Sequence, residues 1–88
     1  MAAVASHFQT KTADLLGHSR RQELVLPRQI TMYLLREEIE IPLMKIGEFL
    51  GGRDHSTVIY GVRKITQRFN TDSGLRHQIM LIKQSIYG

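Results

Sequence analysis

Apolar residues recur along most of the chain at the three- and four-residue spacing of an amphipathic helix. The longest stripe predicts a helix of about four turns that ends near Asn70, and its apolar positions are Val58, Val62, Ile65 and Phe69. A second long stripe predicts a last helix that begins at Asp72 or Ser73, and its apolar positions are Leu75, Ile79, Ile82 and Ile86. The carboxyl-terminal half of the chain is therefore predicted to be helical.

Two prolines mark the starts of two further helices, because proline suits the first helical position, where its missing N–H is no loss. Pro27 opens a helix expected to run to about Glu38, with an apolar stripe of Ile30, Tyr33 and Leu34. Pro42 opens the next helix, whose predicted buried face is Leu43, Ile46, Phe49 and Leu50. The intervening residues 39–41 alternate like a strand, but so short a segment is better interpreted as a connector.

The first 26 residues show a weaker pattern, with Val4, Ala5 and Phe8 at helical spacing. Thr12 is predicted to cap a single turn that ends before Gly17. Residues 17–26 have no clean period and are predicted to form a loop that carries Arg20 and Arg21. The whole pattern predicts an all-α fold, a compact bundle of about six helices, two of them short, with no strand.

Composition limits this bundle to one small domain. The chain has 88 residues, 42% of them apolar and none of them Trp, so the core must be built mostly from Ile, Leu, Val and Met. The absence of Cys excludes disulfides and Cys-containing zinc sites and is typical of a reducing cytoplasm. Twelve Lys and Arg against eight Asp and Glu give a net charge of +4, which favours an anionic partner.

The ends and the hydropathy of the chain give two further expectations. No apolar run approaches the roughly 20 residues that span a bilayer, and the first residues lack the basic start of a signal peptide, so no membrane contact is expected. The amphipathic pattern begins directly after Met1, which we interpret as the sign of a piece excised from a longer chain.

Residues 42–68 have the layout of a helix-turn-helix, a short helix, a two-glycine turn and a longer helix with a polar first turn. Gly51 and Gly52 accept the positive φ angles that the turn requires, and Asp54 is the expected N-cap. In such a unit the first turn of the second helix enters the DNA major groove. The hydrogen-bonding residues at that position are Arg53, Asp54, His55, Ser56 and Thr57.

Plainer interpretations of the same residues are also open. Asp54 can be an N-cap alone, His55 an exposed surface histidine, and the scattered basic residues solvated faces. A catalytic triad of Asp54, His55 and Ser56 is excluded, because consecutive helical residues point about 100° apart. The two-glycine turn lacks the Gly-Lys-Ser/Thr ending of a phosphate loop, and the other histidines are dispersed. The sequence therefore predicts no enzyme, no cofactor and no metal site.

The segment Gly51-Gly52-Arg53-Asp54-His55-Ser56-Thr57-Val58 is similar to the signature of the C-terminal DNA-binding domain of the bacterial replication initiator DnaA. The similarity continues at the family's spacings in Ala13–Leu16, Pro27–Gln29, Met32–Leu34, Lys45–Gly47 and Arg63–Ile65. It implies that residues 1–88 form one such domain, which binds the short asymmetric DnaA boxes of a replication origin in double-stranded DNA as a monomer. ATP would bind only to an AAA+ module, which precedes this domain in the family and is absent here.

The resemblance also implies roles for individual residues and a setting for the protein. It assigns base contacts in the major groove to Arg53, Asp54, His55, Ser56 and Thr57. It assigns a minor-groove contact to Arg20, with Arg21 as its substitute, and phosphate contacts to Arg28, Gln29, Arg36 and Lys64. The parent protein would oligomerise on DNA, in the cytoplasm and in association with the nucleoid. Gly61, inside the predicted recognition helix, costs roughly 1 kcal/mol relative to Ala, which close packing of another helix would explain.

Two other functions fit the helix-turn-helix pattern. A transcription regulator would bind as a dimer to a palindrome whose half-sites lie about one helical turn apart. A DNA-tethering or interaction module of a larger DNA-processing enzyme would bind weakly and without sequence preference.

Overall fold

The computed structural model describes residues 2–87, so Met1 and Gly88, the two ends of the predicted domain, lie outside the described residues. The six α-helices in this range are α1 Ala2–His7, α2 Thr12–Leu16, α3 Val25–Glu37, α4 Leu43–Phe49, α5 His55–Thr71 and α6 Ser73–Tyr87. A single 3₁₀ turn, Gln22–Leu24, leads into α3. Residues 2–87 contain no strand, which confirms the all-α prediction. Within the same range, no helix combines the length and the apolar character that crossing a membrane requires.

Helix α3 lies between two clusters of buried side chains and makes its most extensive contact with α5. The larger cluster joins α3 to α1, α2, α5 and α6, and its members are Val4, Ala5, Leu15, Ile30, Leu34, Ile65, Leu75, Ile79 and Ile82. The smaller cluster lies beneath the helix-turn-helix and consists of Met32, Ile46, Leu50 and Val58. Because Met32 and Ile30 belong to different clusters, α3 is the element that fixes the helix-turn-helix on the rest of the bundle.

Glycines allow the close packing of the helix-turn-helix. Gly51 and Gly52 have φ angles of +80° and +78°, as the turn was predicted to require. The carbonyl oxygen of Gly47 accepts hydrogen bonds from the backbone nitrogens of Gly52 and Arg53, at 3.0 and 2.9 Å, and a Cβ on Gly47 would overlap the carbonyl oxygen of Arg53. A Cβ on Gly61 would lie 2.5 Å from Sδ of Met32, so the expected close packing of another helix is confirmed and α3 supplies it.

The segment before α3 differs from its prediction in two ways. Residues 22–24 form the 3₁₀ turn instead of a loop, and this turn brings Leu24 fully into the interior. Helix α3 begins at Val25, which makes Pro27 its third residue. Proline is tolerated there because the first four N–H groups of a helix have no intrahelical acceptor. Thr12 is the first residue of α2, and its predicted role as a side-chain cap is wrong.

Two predicted core residues are exposed instead. Phe49 is 56% exposed at the end of α4, whose buried residues are Ile46 and Gly47. Ile86 is 50% exposed in the last turn of α6, one turn beyond Ile82, the last buried residue of that helix. The connector at residues 39–41 is as predicted, and α6 begins at Ser73, one of its two predicted starts. Oδ1 of Asp72 accepts a hydrogen bond from the backbone nitrogen of Leu75 at 3.0 Å.

The packing at Gly47 gives a direct test of the turn geometry. We expect Gly47→Ala to lower the free energy of unfolding by about 1–3 kcal/mol, although alanine is the better helix former. Urea denaturation of the variant measures this. Glu48→Ala is the matched control, because the Glu48 side chain is 66% exposed, and it should change stability by less than about 0.5 kcal/mol. Equal stability of Gly47→Ala and the parent chain would contradict the close approach of Arg53 to α4.

Candidate nucleic-acid interface

The first turn of α5 is exposed and begins with a side-chain cap. Oδ1 of Asp54 accepts a hydrogen bond from the backbone nitrogen of Thr57 at 2.8 Å, so the N-cap interpretation is confirmed. This bond holds the pKa of the Asp54 carboxyl below its ordinary value, with smaller contributions that include the nearby His55. His55, Ser56 and Thr57 follow on the surface, at the end of the helix where backbone N–H groups and the helix dipole favour an anion.

Arg53, predicted to read bases, is instead turned towards the protein. Its Nη2 donates to the carbonyl oxygen of Gly17 at 2.9 Å, and its Nη1 donates to the carbonyl oxygen of Leu50. The side chain therefore ties the turn of the helix-turn-helix to the end of α2, which is 36 residues away in sequence. Burial lowers the pKa of Arg53 from its ordinary value. A guanidinium engaged with two carbonyl groups is positioned to hold the turn. Arg53 also lines the same grooves as Thr57, and its predicted base contact stays a prediction.

Arg28, predicted to contact a phosphate, is only 7% exposed. Its guanidinium is surrounded by carbonyl groups at the end of α2 and in the following loop, and the acceptors are those of Asp14, Leu15, Gly17 and Ser19. The bond from Nε to Leu15 is 2.9 Å long and that from Nη2 to Asp14 is 2.7 Å long. The pKa of Arg28 is lowered, first by burial and then by the positive charges of Arg53 and Arg21. This placement gives Arg28 a structural role, and its predicted phosphate contact stays a prediction.

Arg28 and Arg53 share one acceptor, the carbonyl oxygen of Gly17. We call these two side chains, with the carbonyl groups of residues 14–19 that they bind, the arginine clamp. A helix leaves its last carbonyl groups without intrahelical partners and carries partial negative charge at that end. Two guanidinium groups therefore complement the end of α2, and they link it both to α3 and to the turn before α5.

The two adjacent arginines of the following loop, Arg20 and Arg21, differ in their ion pairs. Arg21 forms ion pairs with Asp14 at 3.1 Å and with Glu23 at 3.7 Å, whereas Arg20 is exposed and has no ion pair within residues 2–87. Arg20 lines a groove together with Arg28, Arg53 and Thr57. The structure thus brings the exposed arginine of the loop next to the first turn of α5.

The remaining predicted contacts to phosphates concern Gln29, Lys64 and Arg36, which lie at different distances from the first turn of α5. Gln29, half-buried on α3, lines a second groove together with Thr57. Lys64 is exposed two turns beyond Thr57 on α5. Arg36 lies about 10 Å along α3 from Gln29, and its Nη1 donates to the carbonyl oxygen of Ile41 at 3.4 Å. The structure therefore groups Gln29 with the first turn of α5 and places Arg36 apart from it.

Tyr60 also belongs to this surface, although no role was predicted for it from the sequence. It is 59% exposed and lines the second groove with Gln29 and Thr57. The available signal was its spacing, because it follows Thr57 by three residues and precedes Lys64 by four, which places all three on one face of a helix. Across residues 2–87, no group of His, Asp and Glu side chains is arranged to hold a metal ion.

Comparison with known proteins identifies similar sequences over most of the chain. A family model described as "Bacterial dnaA protein helix-turn-helix" matches residues 1–65. A chromosomal replication initiator protein DnaA from Thermomicrobium roseum is 48% identical over 85 residues, which is 97% of this chain and 18% of that protein. The protein of the same name from Chloroflexus aggregans is 48% identical over 83 residues, covering 94% of this chain and 17% of the relative. The chain thus spans less than a fifth of the length of these curated relatives.

The arginine clamp should make stability sensitive to the replacement of Arg28 by lysine, although both side chains are positively charged. We expect Arg28→Lys to lower the free energy of unfolding by about 2 kcal/mol, because an ammonium group cannot reach the carbonyl groups that the planar guanidinium bridges. Urea denaturation again provides the measurement. Arg36→Lys, at an exposed position on the same helix, is the control and should leave stability within about 0.5 kcal/mol of the parent. If both variants were equally stable, the clamp would not contribute to folding.

Proposed function

Because the chain belongs to the bacterial dnaA protein helix-turn-helix family, we propose that it binds DnaA boxes, the short asymmetric sites of a replication origin, in double-stranded DNA. The chain itself is a DNA-binding domain and not an enzyme. In this proposal it holds a longer initiator protein at the origin. That protein carries the ATP-binding AAA+ module, oligomerises on DNA and associates with the nucleoid, while this chain binds as a monomer and needs no cofactor.

The observation that carries the proposal is that Arg20 of the loop and Thr57 of the first turn of α5 line one groove on the protein surface. A major groove about 12 Å wide admits one helix, and the exposed side chains at the start of α5 are short and hydrogen-bonding. In the proposed complex, Asp54 accepts from a cytosine amino group while it caps the helix. His55, Ser56 and Thr57 contact other base edges. Arg20 enters the adjacent minor groove, and Arg21 stays with its two carboxylates.

Contacts to the phosphate backbone are also proposed for three residues outside this groove. Gln29 lines the second groove with Thr57, Lys64 is exposed further along α5, and Arg36 is exposed further along α3. Arg28 and Arg53 are proposed to support DNA binding indirectly, since their guanidinium groups donate to backbone carbonyl oxygens of the protein. They keep the loop of Arg20 and the recognition helix α5 at a fixed separation. The protein thus presents two sets of DNA-binding residues without having to order them at the moment of binding.

A binding selection from random duplexes with the purified 88-residue chain tests the proposal, followed by footprinting of the recovered sites. We expect DnaA-like boxes and a single asymmetric footprint. A symmetric footprint over two half-sites about one helical turn apart would indicate a dimeric transcription regulator instead. Recovery of sequences with no preference would indicate a tethering or interaction module.

His55→Ala tests base reading. The variant should lose about 1–3 kcal/mol of affinity for the selected box, because one contact to a base edge is removed, and should bind random DNA nearly as well as the parent. Fluorescence anisotropy titrations with box and scrambled duplexes measure both affinities. His77→Ala, an exposed histidine on α6, is the control and should leave both unchanged. An equal loss on the two duplexes would refute a role of His55 in sequence recognition.

Lys64→Ala tests a phosphate contact. Removal of one cation that neutralises a phosphate should weaken binding to every duplex and reduce the slope of log K against log salt by about 0.9. Titrations from low to physiological salt measure the slope. Lys11→Ala removes an equally exposed charge at the start of α2 and should leave the slope unchanged. An unaltered slope in the Lys64 variant would contradict the assigned contact.

A further inference from the structure

Tyr60 is the tyrosine whose position the fold does not explain. The ring of Tyr33 stacks on Phe69 with centroids 6.0 Å apart, and the hydroxyl of Tyr87 lies 3.5 Å from a carboxylate oxygen of Glu38. The Tyr60 side chain, in contrast, is 59% exposed, and its hydroxyl has no hydrogen-bond partner among residues 2–87. Its ring therefore faces solvent on the surface that contains the proposed DNA-binding groove.

The surroundings of Tyr60 combine an apolar groove with positive charge. The groove lies between α3 and α5, and its lining includes Val25, Gln29, Met32 and Thr57. The Nζ atom of Lys64 lies 6.0 Å from the centre of the Tyr60 ring, within the range of a cation–π interaction. A hydroxyl donor and an ammonium group thus share one side of α5, one helical turn apart.

The position of Tyr60 along α5 determines which part of the bound DNA lies beside it. Each residue of a helix adds about 1.5 Å of rise, so Tyr60 lies about 4.5 Å and Lys64 about 10 Å beyond Thr57 along the axis. When the first turn of α5 reaches the base edges of a groove about 8.5 Å deep, the following turns rise along the wall of that groove. The wall is formed by the sugar–phosphate backbone, whose oxygens accept hydrogen bonds.

From this geometry we propose that the Tyr60 hydroxyl donates a hydrogen bond to a backbone phosphate of the bound duplex, on the strand that Lys64 also contacts. The ring packs against the adjoining sugar and holds Lys64 close to the same strand. This inference rests on the proposed function, because it requires that the first turn of α5 lies in the major groove.

The test compares Tyr60→Phe with the parent chain on box duplexes in which single phosphates are replaced, one position at a time, by neutral methylphosphonates. Removal of a hydrogen bond to a charged group should weaken binding of Tyr60→Phe to the unmodified duplex about ten- to a hundredfold. For the parent chain, at least one methylphosphonate beside the recognition site should cause a similar loss. Tyr60→Phe should be insensitive to that same replacement, because the contact is already absent. Tyr87→Phe, at a position 67% exposed on α6, is the matched control and should bind like the parent.

Two results would overturn the inference. Tyr60→Phe binding as tightly as the parent would exclude the hydroxyl contact, even if Tyr60→Leu were weak through loss of the ring. If Tyr60→Phe bound weakly but lost as much affinity as the parent at every methylphosphonate, a phosphate would be excluded as the partner of the hydroxyl. Failure of the proposed function has a different signature, equal binding of box and scrambled duplexes by the parent chain. In that case the affinities of Tyr60→Phe and the parent can still be compared, since phosphate contacts do not depend on sequence. No single methylphosphonate should then stand out, because the chain has no fixed register on the duplex.

Discussion

The end of helix α2 and the two guanidinium groups that bind it hold together the parts of the proposed DNA-binding surface. Helix α2 has only five residues, too few to be stable alone, and its last carbonyl groups need partners. Arg28 supplies donors from α3 and Arg53 supplies them from the turn before α5, and both donate to the carbonyl oxygen of Gly17. A cluster of hydrogen bonds at one helix end thus joins three parts of the chain that are far apart in sequence.

Tight packing beside the clamp supports the same arrangement. A Cβ on Gly51 would lie 2.8 Å from the carbonyl oxygen of Leu16, so the turn of the helix-turn-helix is in direct contact with the end of α2. On the other side, Gly61 lets α5 approach Met32 of α3. The recognition helix is therefore fixed along its first two turns, and the loop that carries Arg20 is fixed relative to it. Such preorganisation reduces the entropy lost on binding.

The sequence predicted the helices well, because their signals are local. Periodicity, proline and glycine placement and the caps at Asp54 and Asp72 involve residues within one or two turns of each other. Whether a stripe residue such as Phe49 is covered depends on a partner helix, and periodicity carries no information about it. Arg28 was assigned to DNA by the family resemblance, and Arg53 by the resemblance and by its place before the second helix of the helix-turn-helix. Neither signal shows which way an arginine side chain turns. The actual acceptors of the two side chains lie 9–14 and up to 36 residues away, a distance at which no local pattern identifies a hydrogen bond.

We infer that the arginine clamp couples the loop of Arg20 to helix α5. A double-mutant cycle measures this coupling, with the box affinity of Arg20→Ala compared in the parent chain and in an Arg53→Lys background. We expect Arg20→Ala to be much less costly once the clamp is loosened, with a coupling energy of about 1 kcal/mol or more. Equal costs of Arg20→Ala in the two backgrounds would show that the clamp does not couple them, because independent DNA contacts give additive effects.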